Sequence, residues 1–209
     1  MSPNTPSSPS TSALTLTAGS VIVFEGLDKA GKSTQLERMR QAIDPAGATF
    51  AHMPSGFSGF TAAVYAVLEN KDTTPSHSLA RQLAHLACHV ESIPTLVEKA
   101  RSGALVLDRW WWSTLSYGWY GRDESAFGIQ ELTFRALIEE IWAPLRADAI
   151  FLFLHAYESD PNNVDGVARG YQAIADESLT TVVRVPAMAE DDTHEFLTAE
   201  LKRLGLAHG

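Results

Sequence analysis

Two glycines, a lysine and a serine stand at a fixed spacing near the start of the chain. Residues 21–35 read VIVFEGLDKAGKSTQ, so that a short apolar run leads into the pattern Gly26-x-x-x-x-Gly31-Lys32-Ser33. The glycines allow a tight turn in which successive backbone N–H groups point inward at an anion. The helical pattern that follows places the positive end of a helix dipole at the same point. The spacing therefore predicts a phosphate-binding loop.

This strand–loop–helix setting fits the P-loop template G-x-x-x-x-G-K-[S/T] of nucleoside triphosphate-binding proteins. We expect Lys32 to reach the β- and γ-phosphates of ATP and the Ser33 hydroxyl to hold Mg²⁺. The predicted ATP-binding residues are Gly26, Leu27, Asp28, Lys29, Ala30, Gly31, Lys32, Ser33 and Thr34.

A second pair of reactive side chains follows another apolar run. Residues 104–107 read ALVL, and Asp108 and Arg109 stand where this predicted strand leaves the sheet. In open α/β sheets, ligands bind at the carboxyl ends of the strands. A carboxylate there can reach Mg²⁺ directly or through water, and the arginine offers a fork to a second phosphate. We therefore predict Ser33 and Asp108 as the metal ligands.

The periodicity of apolar residues predicts the elements that position these side chains. Predicted strands cover residues 21–24, 48–52, 104–107, 149–154 and 180–185, and predicted helices cover 33–43, 60–68, 78–101, 132–141, 167–175 and 192–204. Such alternation predicts an α/β protein with the three-layer P-loop NTPase fold, a five-stranded, mainly parallel sheet flanked by helices. Ser76 is the expected cap of the long helix, which Pro94 is expected to kink or split. Thr193 or the aspartates before it are expected to cap the last helix.

Composition restricts the partners and the compartment. The net charge of −9 argues against a broad electrostatic contact with nucleic acid, and no apolar run approaches the roughly 20 residues that cross a membrane. Cys88 is the only cysteine, which excludes an intramolecular disulfide and favours a reducing cytoplasm. Residues 1–19, rich in Ser, Thr and Pro, lack the features of a signal peptide. We expect a disordered leader over 1–19 and a single P-loop domain over 20–209.

Three motifs resemble those of the thymidylate kinases, a branch of the P-loop nucleoside monophosphate kinases. Residues 23–35 look like that family's P-loop almost throughout, and residues 108–117, DRWWWSTLSY, are similar to its Asp-Arg-Tyr-x-x-Ser-Ser-x-Ala-Tyr segment. Residues 167–171, VARGY, resemble its Val-Arg-x-x-Tyr helix less specifically. The resemblance implies a homodimeric kinase that uses ATP and Mg²⁺ to phosphorylate a nucleoside monophosphate, with dTMP to dTDP as the first expectation.

The resemblance also implies roles for individual residues. Asp28 would approach and position the acceptor nucleotide, and Arg109 would hold its phosphate. The predicted catalytic residues are Lys32, Lys29, Asp28 and Arg109. The predicted substrate contacts are Asp28, His52, Pro54, Arg109, Ser113 and Tyr117.

Two departures from the family pattern look compensatory. Eukaryote-type members carry an arginine in the P-loop where this chain has Lys29, whereas the common bacterial type has glycine there and arginines in a lid. The segment between Leu154 and the helix near Val167 is short and contains no arginine or lysine. Phosphoryl transfer needs positive charge near the γ-phosphate. We therefore expect Lys29 to supply that charge, although lysine lacks the fork of arginine.

The acceptor half departs further, which leaves alternatives open. His52 replaces the arginine of the family's Arg-x-Pro motif, and the base-reading arginine expected near residues 86–88 is absent, with Arg81 more than a turn away. Trp110–Trp112 offer a stacking surface that tolerates different bases. The alternatives are a P-loop kinase with another acceptor, such as a nucleoside, a modified pyrimidine nucleotide or a base in DNA, and a nucleotide-binding module without transfer.

Four weaker signals receive structural interpretations. His85 and His89 have metal-ligand spacing, but no third ligand is evident, so we expect a polar or partly buried helix face. Residues 160–166 lack the glycine position and the terminal glutamate of a calcium loop, which predicts a plain turn. The three tryptophans are expected to form core and pocket wall. Lastly, an apolar helix face fits either a subunit contact or the core, and its members are Leu79, Leu83 and Leu86.

Overall fold

A computed structural model describes residues 14–44, 46–54, 57–122 and 128–209. The strands in these ranges are β1 Thr15–Leu16, β2 Val21–Gly26, β3 Ala48–His52, β4 Ala104–Asp108, β5 Ala149–Phe153, β6 Thr181–Val185 and β7 Ala207–His208. Strands β2 to β6 form a five-stranded sheet in the order β3-β4-β2-β5-β6, and every neighbouring pair is parallel. The predicted α/β fold with a five-stranded parallel sheet is confirmed.

Six helices of the described ranges match the predicted segments, with ends shifted by at most two residues, and the short helix Trp111–Leu115 was not predicted. The helices are α1 Lys32–Ala42, α2 Gly59–Glu69, α3 Ser78–Ser102, α4 Trp111–Leu115, α5 Glu131–Trp142, α6 Asp165–Glu177 and α7 Glu190–Arg203. A short π-helical turn, Ser116–Tyr120, continues α4. None of the helices in the described part of the chain combines the length and the apolar character that a bilayer crossing demands.

Helix α3 runs unbroken through Pro94, so the predicted alternative of a split helix is wrong. An internal proline destabilises a helix by about 3 kcal/mol, because it removes one hydrogen bond and clashes with the preceding turn. Ile93 and Leu96, on either side of it, are both buried in the core. Burial of two such side chains contributes roughly 1.5–3 kcal/mol each. Tertiary packing therefore outweighs the local preference.

The predicted helix caps are wrong in both cases. The N-cap of α3 is His77, whose Nδ1 accepts a hydrogen bond from the Leu79 N–H at 3.2 Å, and not Ser76. The N-cap of α7 is Ala189, and Thr193 lies inside the helix with its hydroxyl donating to the Ala189 carbonyl at 2.8 Å. The acidic residues 190–192 occupy the first turn instead, where negative charge favours the helix dipole.

The predicted leader is too long. Residues 14–19 are folded, because β1 pairs antiparallel with β7 and Leu14 forms a bridge with Ile43. Leu14 and Leu16 are both buried, and they flank exposed Thr15 with the period of two that a strand requires. The Ser- and Thr-rich composition concealed this short apolar alternation. Residues 1–13 lie outside the described residues, and the division into a leader and a single domain otherwise stays a prediction.

The centre of the sheet is buried on both faces. Strands β2 and β5 are entirely buried, and Phe24 lies against Phe151 and Phe153 with ring centroids 5.4 and 5.7 Å apart. Continuous apolar strands of this kind are typical of parallel sheets covered by helices on both sides. Trp112 is completely buried and Trp110 nearly so, as expected of core and pocket wall. This rigid centre holds the carboxyl ends of β2, β4 and β5 in register.

Candidate active site

The predicted phosphate-binding loop joins β2 directly to α1. Gly26 has a φ of +131°, and a Cβ atom on it would lie 2.0 Å from the Phe153 carbonyl oxygen, so that no other residue fits there. Gly31, with a φ of +83°, is the N-cap of α1. Lys29 also has a positive φ, of 60°. The loop is therefore held in a left-handed backbone conformation at three points and opens at the start of a helix, as an anion site requires.

Lys32 is buried inside this loop. Its Nζ donates hydrogen bonds to the carbonyl oxygens of Gly26 at 3.1 Å and Leu27 at 2.5 Å. Burial and, to a smaller extent, the nearby charge of Arg109 lower the pKa of Lys32 to about 8, although Glu25, Asp108 and Asp28 oppose the change. A phosphate in the loop would stabilise the charged ammonium, because an opposite charge at short range raises the pKa of an amine.

A cavity of about 500 Å³ lies over the loop and contains the two predicted metal ligands, Ser33 and Asp108. Asp108 Oδ2 lies 3.0 Å from His52 Nδ1. Burial alone would raise the pKa of Asp108, but the hydrogen bond and charge of His52 lower it, which keeps the carboxylate ionised. A hydroxyl and a carboxylate are oxygen donors that suit Mg²⁺. No cluster of three or more His, Cys, Asp or Glu side chains is placed for a metal in the described ranges, so Mg²⁺ would rely on phosphate oxygens and water as well.

Arg109 and Asp28 form an ion pair at the edge of this cavity. Arg109 Nη1 also donates to the Gly26 carbonyl at 3.3 Å and to Ser113 Oγ at 3.0 Å, and its guanidinium lies over the Tyr117 ring. Burial works to lower the pKa of Arg109, but Tyr171, Asp28 and Glu25 together raise it above its ordinary value. The structure thus brings together two of the predicted catalytic residues and two of the predicted acceptor contacts.

Glu25 is an important residue that the sequence reasoning missed. It is fully buried, and its Oε1 accepts hydrogen bonds from the backbone N–H groups of Trp110 at 2.7 Å and Ser113 at 3.0 Å. Its Oε2 accepts from Ser113 Oγ at 2.6 Å and from the Tyr171 hydroxyl at 3.0 Å. Burial raises its pKa, although Arg109 and these hydrogen bonds oppose the rise. The available signal was a single charged residue inside an otherwise apolar strand.

Asn163 was missed for a different reason. Residues 160–163 form the predicted turn, in which the Asn163 N–H donates to the Asp160 carbonyl at 3.1 Å. The Asn163 side chain, however, also contacts the P-loop, because its Nδ2 donates to the Asp28 carbonyl at 2.7 Å and its Oδ1 accepts from the Asp28 N–H at 3.0 Å. The Tyr117 hydroxyl accepts from the same N–H at 2.7 Å. This segment thus fixes the position of Asp28.

Lys29 lies on the outer side of the loop with its side chain 53% exposed. Its Nζ is 3.9 Å from Glu158 Oε2, and its carbonyl accepts a hydrogen bond from the Tyr157 N–H at 3.0 Å. An exposed pair of this kind contributes at most about 1 kcal/mol, so Lys29 can turn toward a phosphate at little cost. The Tyr157 hydroxyl donates to the Met188 carbonyl at 2.8 Å and thereby links the short β5–α6 segment to the β6–α7 connection.

A second cavity, of about 470 Å³, adjoins the first, and it shares Asp28, His52 and Arg109 with it. The predicted substrate contacts all line this second cavity, which we call the acceptor cavity: Asp28, His52, Pro54, Arg109, Ser113 and Tyr117. Its opposite wall is formed by α3. Arg81 lies there, with Nη2 donating to the Pro75 carbonyl at 3.0 Å and Nε without a partner among the described residues.

His85 and His89 also line the acceptor cavity, so the expected polar helix face is a cavity wall. A third, largely apolar cleft of about 330 Å³ contains Phe153 and Met188 and shares Gly31, Thr34 and Tyr157 with the cavity over the loop. The three spaces therefore follow one another across the P-loop.

We expect these two histidines to make the protein sensitive to acid. The ordinary pKa of histidine is 6.5. Burial, with a smaller contribution from His85, lowers the pKa of His89 to about 3. Burial, with a smaller contribution from Arg81, lowers the pKa of His85 to about 4. The unfolded chain therefore binds more protons than the folded chain between pH 6.5 and these values, and stability falls as the pH falls. Each histidine should remove about 2 kcal/mol of unfolding free energy between pH 7 and pH 5.

Urea denaturation at a series of pH values tests this expectation. The His89→Phe variant should lose less stability than the parent chain when the pH is lowered from 7 to 5. Equal losses in the two proteins would contradict the assignment of a buried neutral ring.

The P-loop, the parallel sheet and the adjoining cavities define the class, which is a P-loop protein with the three-layer α/β fold. A family model described as thymidylate kinase matches residues 24–137, more than half of the chain. The chain belongs to the thymidylate kinase family.

Curated relatives and solved structures agree with this assignment. The chain is 32% identical to the thymidylate kinase of Homo sapiens over 102 residues, which is 47% of each protein. It is 29% identical to the thymidylate kinase of Prochlorococcus marinus (strain MIT 9303) over 180 residues, which is 77% of this chain and 83% of the relative. The chain spans about half the length of the first curated relatives it matches. The fold is shared with two solved thymidylate kinase structures. The structure from Candida albicans has a TM-score of 0.67 and 18% identity, and the match covers 92% of this chain and 96% of that one. The structure from Ehrlichia chaffeensis has a TM-score of 0.68 and 20% identity, and the match covers 87% of this chain and 98% of that one.

Proposed function

We propose that the chain is an ATP-dependent nucleoside monophosphate kinase that converts dTMP to dTDP. One observation carries the proposal: the cavity over the P-loop and the acceptor cavity meet at Asp28, His52 and Arg109. A donor phosphate in the first and an acceptor phosphate in the second would approach each other beside the half-buried guanidinium of Arg109. Membership of the thymidylate kinase family supports dTMP as the acceptor.

The residues present suffice for phosphoryl transfer by positioning and charge. The attacking group is already an anion, so no protein general base is needed. Arg109 orients the acceptor phosphate, and Asp28, held by Tyr117 and Asn163, orients Arg109. Lys32 and Lys29 stabilise the negative charge that moves toward the leaving oxygen.

The chain's own oxygen ligands fit a magnesium ion. Ser33 and Asp108 would hold Mg²⁺, which, when bound, neutralises phosphate oxygens. The apolar cleft beside Phe153 and Tyr157 is suited to the adenine ring of ATP.

The decisive assay is magnesium-dependent ADP release from ATP with nucleoside monophosphates, nucleosides and short single-stranded DNA as acceptors. We expect the highest kcat/KM with dTMP. Turnover only with nucleosides or DNA would establish a changed acceptor in its place. ATP binding without turnover on any acceptor would identify a nucleotide-binding module and refute the proposal.

We further propose a homodimer formed through helix packing. Within the apolar face of α3, Leu86 belongs to the core, whereas Leu83 is 43% exposed and Val90, seven residues further on, is 54% exposed. Residues two turns apart lie on one side of a helix, so these two form an apolar strip available to a second copy. Sedimentation velocity should show a dimer that Leu83→Glu converts to a monomer. A monomeric parent chain at micromolar concentration would refute this proposal.

A cytoplasmic location is also proposed, because the only cysteine, Cys88, is a buried free thiol that suits a reducing compartment. Cell fractionation that finds the protein outside the cytoplasm would refute it.

A further inference from the structure

His89 has a defined tautomer in this fold. The residue is 1% exposed, and its Nδ1 accepts a hydrogen bond from the Trp142 indole Nε1–H at 3.3 Å. An indole is a donor only, so His89 Nδ1 must carry a lone pair. Because burial lowers the pKa of the ring to about 3, the ring is neutral near pH 7 and its single proton lies on Nε2. Trp142 therefore makes His89 Nε2–H a hydrogen-bond donor.

That donor is available to a ligand in the acceptor cavity. His89 lines the cavity, and no described residue accepts a hydrogen bond from its Nε2. A donor in a cavity wall that has no protein partner is completed by water or by a ligand in that cavity. The position therefore fits a carbonyl oxygen of a bound substrate.

Gln82 supplies a complementary group on the same wall. It is 3% exposed, lines the acceptor cavity, and its Oε1 is buried without a hydrogen-bond partner in the described part of the chain. A Cβ atom on Gly118 would lie 2.1 Å from this oxygen, so the glycine provides the space in which the carboxamide lies. Seven residues separate Gln82 from His89, which places both on the same side of α3. Gln82 Oε1 lies against Gly118, and rotation of the carboxamide brings this unpartnered oxygen to the cavity, where a ligand can donate to it.

We propose that Gln82 and His89 read the base of the acceptor nucleotide and select a pyrimidine-2,4-dione. This inference rests on the proposed function and names the specificity-determining residues of the same site. The Gln82 carboxamide pairs with the ring N3–H and the neighbouring O2, and His89 Nε2–H donates to O4. The wall then presents the Gln82 amide NH₂ to O2, the Gln82 carbonyl oxygen to N3–H, and His89 Nε2–H to O4. This donor–acceptor–donor pattern complements the edge of thymine or uracil.

Cytosine is rejected by the same arrangement. Its N4 amino group is a donor and would face the His89 Nε2–H, so that two donors meet in a buried site. Rotation of the Gln82 amide can adapt to cytosine N3, but the His89 tautomer cannot adapt while Trp142 donates to Nδ1. Trp142 is accordingly a positioning residue for base selection.

The test is the ratio of kcat/KM for dTMP to kcat/KM for dCMP. We expect His89→Phe and Gln82→Leu each to lower this ratio at least about tenfold, because a site that forms a hydrogen bond strongly disfavours the analogue that lacks it. Trp142→Phe should lower the ratio as well, because the freed ring can expose an unprotonated Nε2 to the cytosine amino group. A general loss of folded protein changes both rates equally and leaves the ratio unchanged.

Trp119→Phe is the matched control for Trp142→Phe. Trp119 is also a buried tryptophan, stacked on Phe134 at 5.5 Å and outside the lining of the acceptor cavity. We expect its dTMP-to-dCMP ratio to equal that of the parent chain. An unchanged ratio in His89→Phe, or a ratio that collapses only in Arg81→Gln, would overturn the inference.

The tautomer can be measured without activity. Two-bond ¹H–¹⁵N correlation spectra of the full chain with ¹⁵N-labelled histidine should show His89 with a protonated Nε2 and an unprotonated Nδ1, and Trp142→Phe should change this pattern. A protonated Nδ1 in the parent chain would overturn the inference. If the parent chain phosphorylates monophosphates but the variants leave the dTMP-to-dCMP ratio unaltered, only the base-reading assignment is refuted. If the parent chain phosphorylates no monophosphate, both the proposed function and this inference are refuted.

Discussion

Replacement of Lys32 by methionine is expected to reduce ATP-dependent turnover by about a thousandfold or more. The Lys32 ammonium lies inside the P-loop, where its Nζ contacts the Gly26 and Leu27 carbonyls, so no other cation can take its place without rebuilding the loop. Methionine retains most of the apolar stem and removes the charge. Under the proposed function the charge acts on the phosphate oxygens during transfer, so we expect the loss to appear in kcat.

The same substitution is expected to preserve or raise the stability of the unliganded protein. Burial lowers the pKa of Lys32 to about 8, which means that its charge is unfavourable in the empty loop. Coupled ADP release and thermal unfolding, measured on the same preparation, check both statements. Lys202→Met on α7, which replaces an exposed lysine whose Nζ contacts the Gly209 carbonyl, is the matched control and should leave both unchanged. Turnover of Lys32→Met within tenfold of the parent chain would contradict the assignment.

Substitution of Arg109 by lysine is expected to distinguish the effect of its positive charge from the effect of its planar hydrogen-bonding geometry. Arg109→Lys keeps a cation beside Asp28 and Glu25 but loses the planar fork that holds a phosphate by two hydrogen bonds. We expect kcat/KM for the acceptor to fall by about a hundredfold, whereas KM for ATP changes little. Initial-rate kinetics with each substrate varied in turn measure the difference. An equal effect on both substrates would contradict the proposed role of Arg109 at the acceptor phosphate.

Arg109→Met has an additional consequence for stability. Without the guanidinium, Glu25 remains fully buried and Asp28 loses its ion-pair partner. Breaking a fully buried ion pair destabilises a protein by about 3–5 kcal/mol, and because the Arg109–Asp28 pair is partly exposed we expect a loss below about 3 kcal/mol. The double variant Glu25→Gln/Arg109→Met should recover much of this stability but none of the activity. Urea denaturation of the single and double variants forms the double-mutant cycle. Additive effects in that cycle would show that Glu25 and Arg109 are not coupled.

The central features of the fold could be predicted from the sequence because their signals are local. The P-loop depends on residue types at fixed spacing, and the Gly26 backbone with its φ of +131° is the conformation that such a glycine permits. The central strands β2, β4 and β5 are largely apolar runs, and the helices between successive strands predict that the strands run parallel. Asp108 and Arg109 were located by the end of a strand, where open sheets bind ligands.

Other features depend on residues that are far apart in the sequence. Glu25 reads as an irregularity in an apolar strand until Ser113 and Tyr171 are brought to it from two other elements. Asn163 reads as a turn residue until the fold places it on the backbone of Asp28. Leu14 and Leu16 are too short a pattern to predict a strand without β7 as the partner.

The α3 wall of the acceptor cavity shows most clearly which features cannot be predicted from the sequence. His85 and His89 are four residues apart and therefore lie on one face of α3, so a ligand that contacts one histidine lies near the other. Which ring nitrogen of His89 carries the proton is decided by Trp142, 53 residues away, through a single hydrogen bond. Local spacing determined the helices and strands of the main sheet and the phosphate-binding loop. The hydrogen-bonding state of each buried polar group was decided only by tertiary contacts, because desolvation and partner geometry depend on the whole surrounding core.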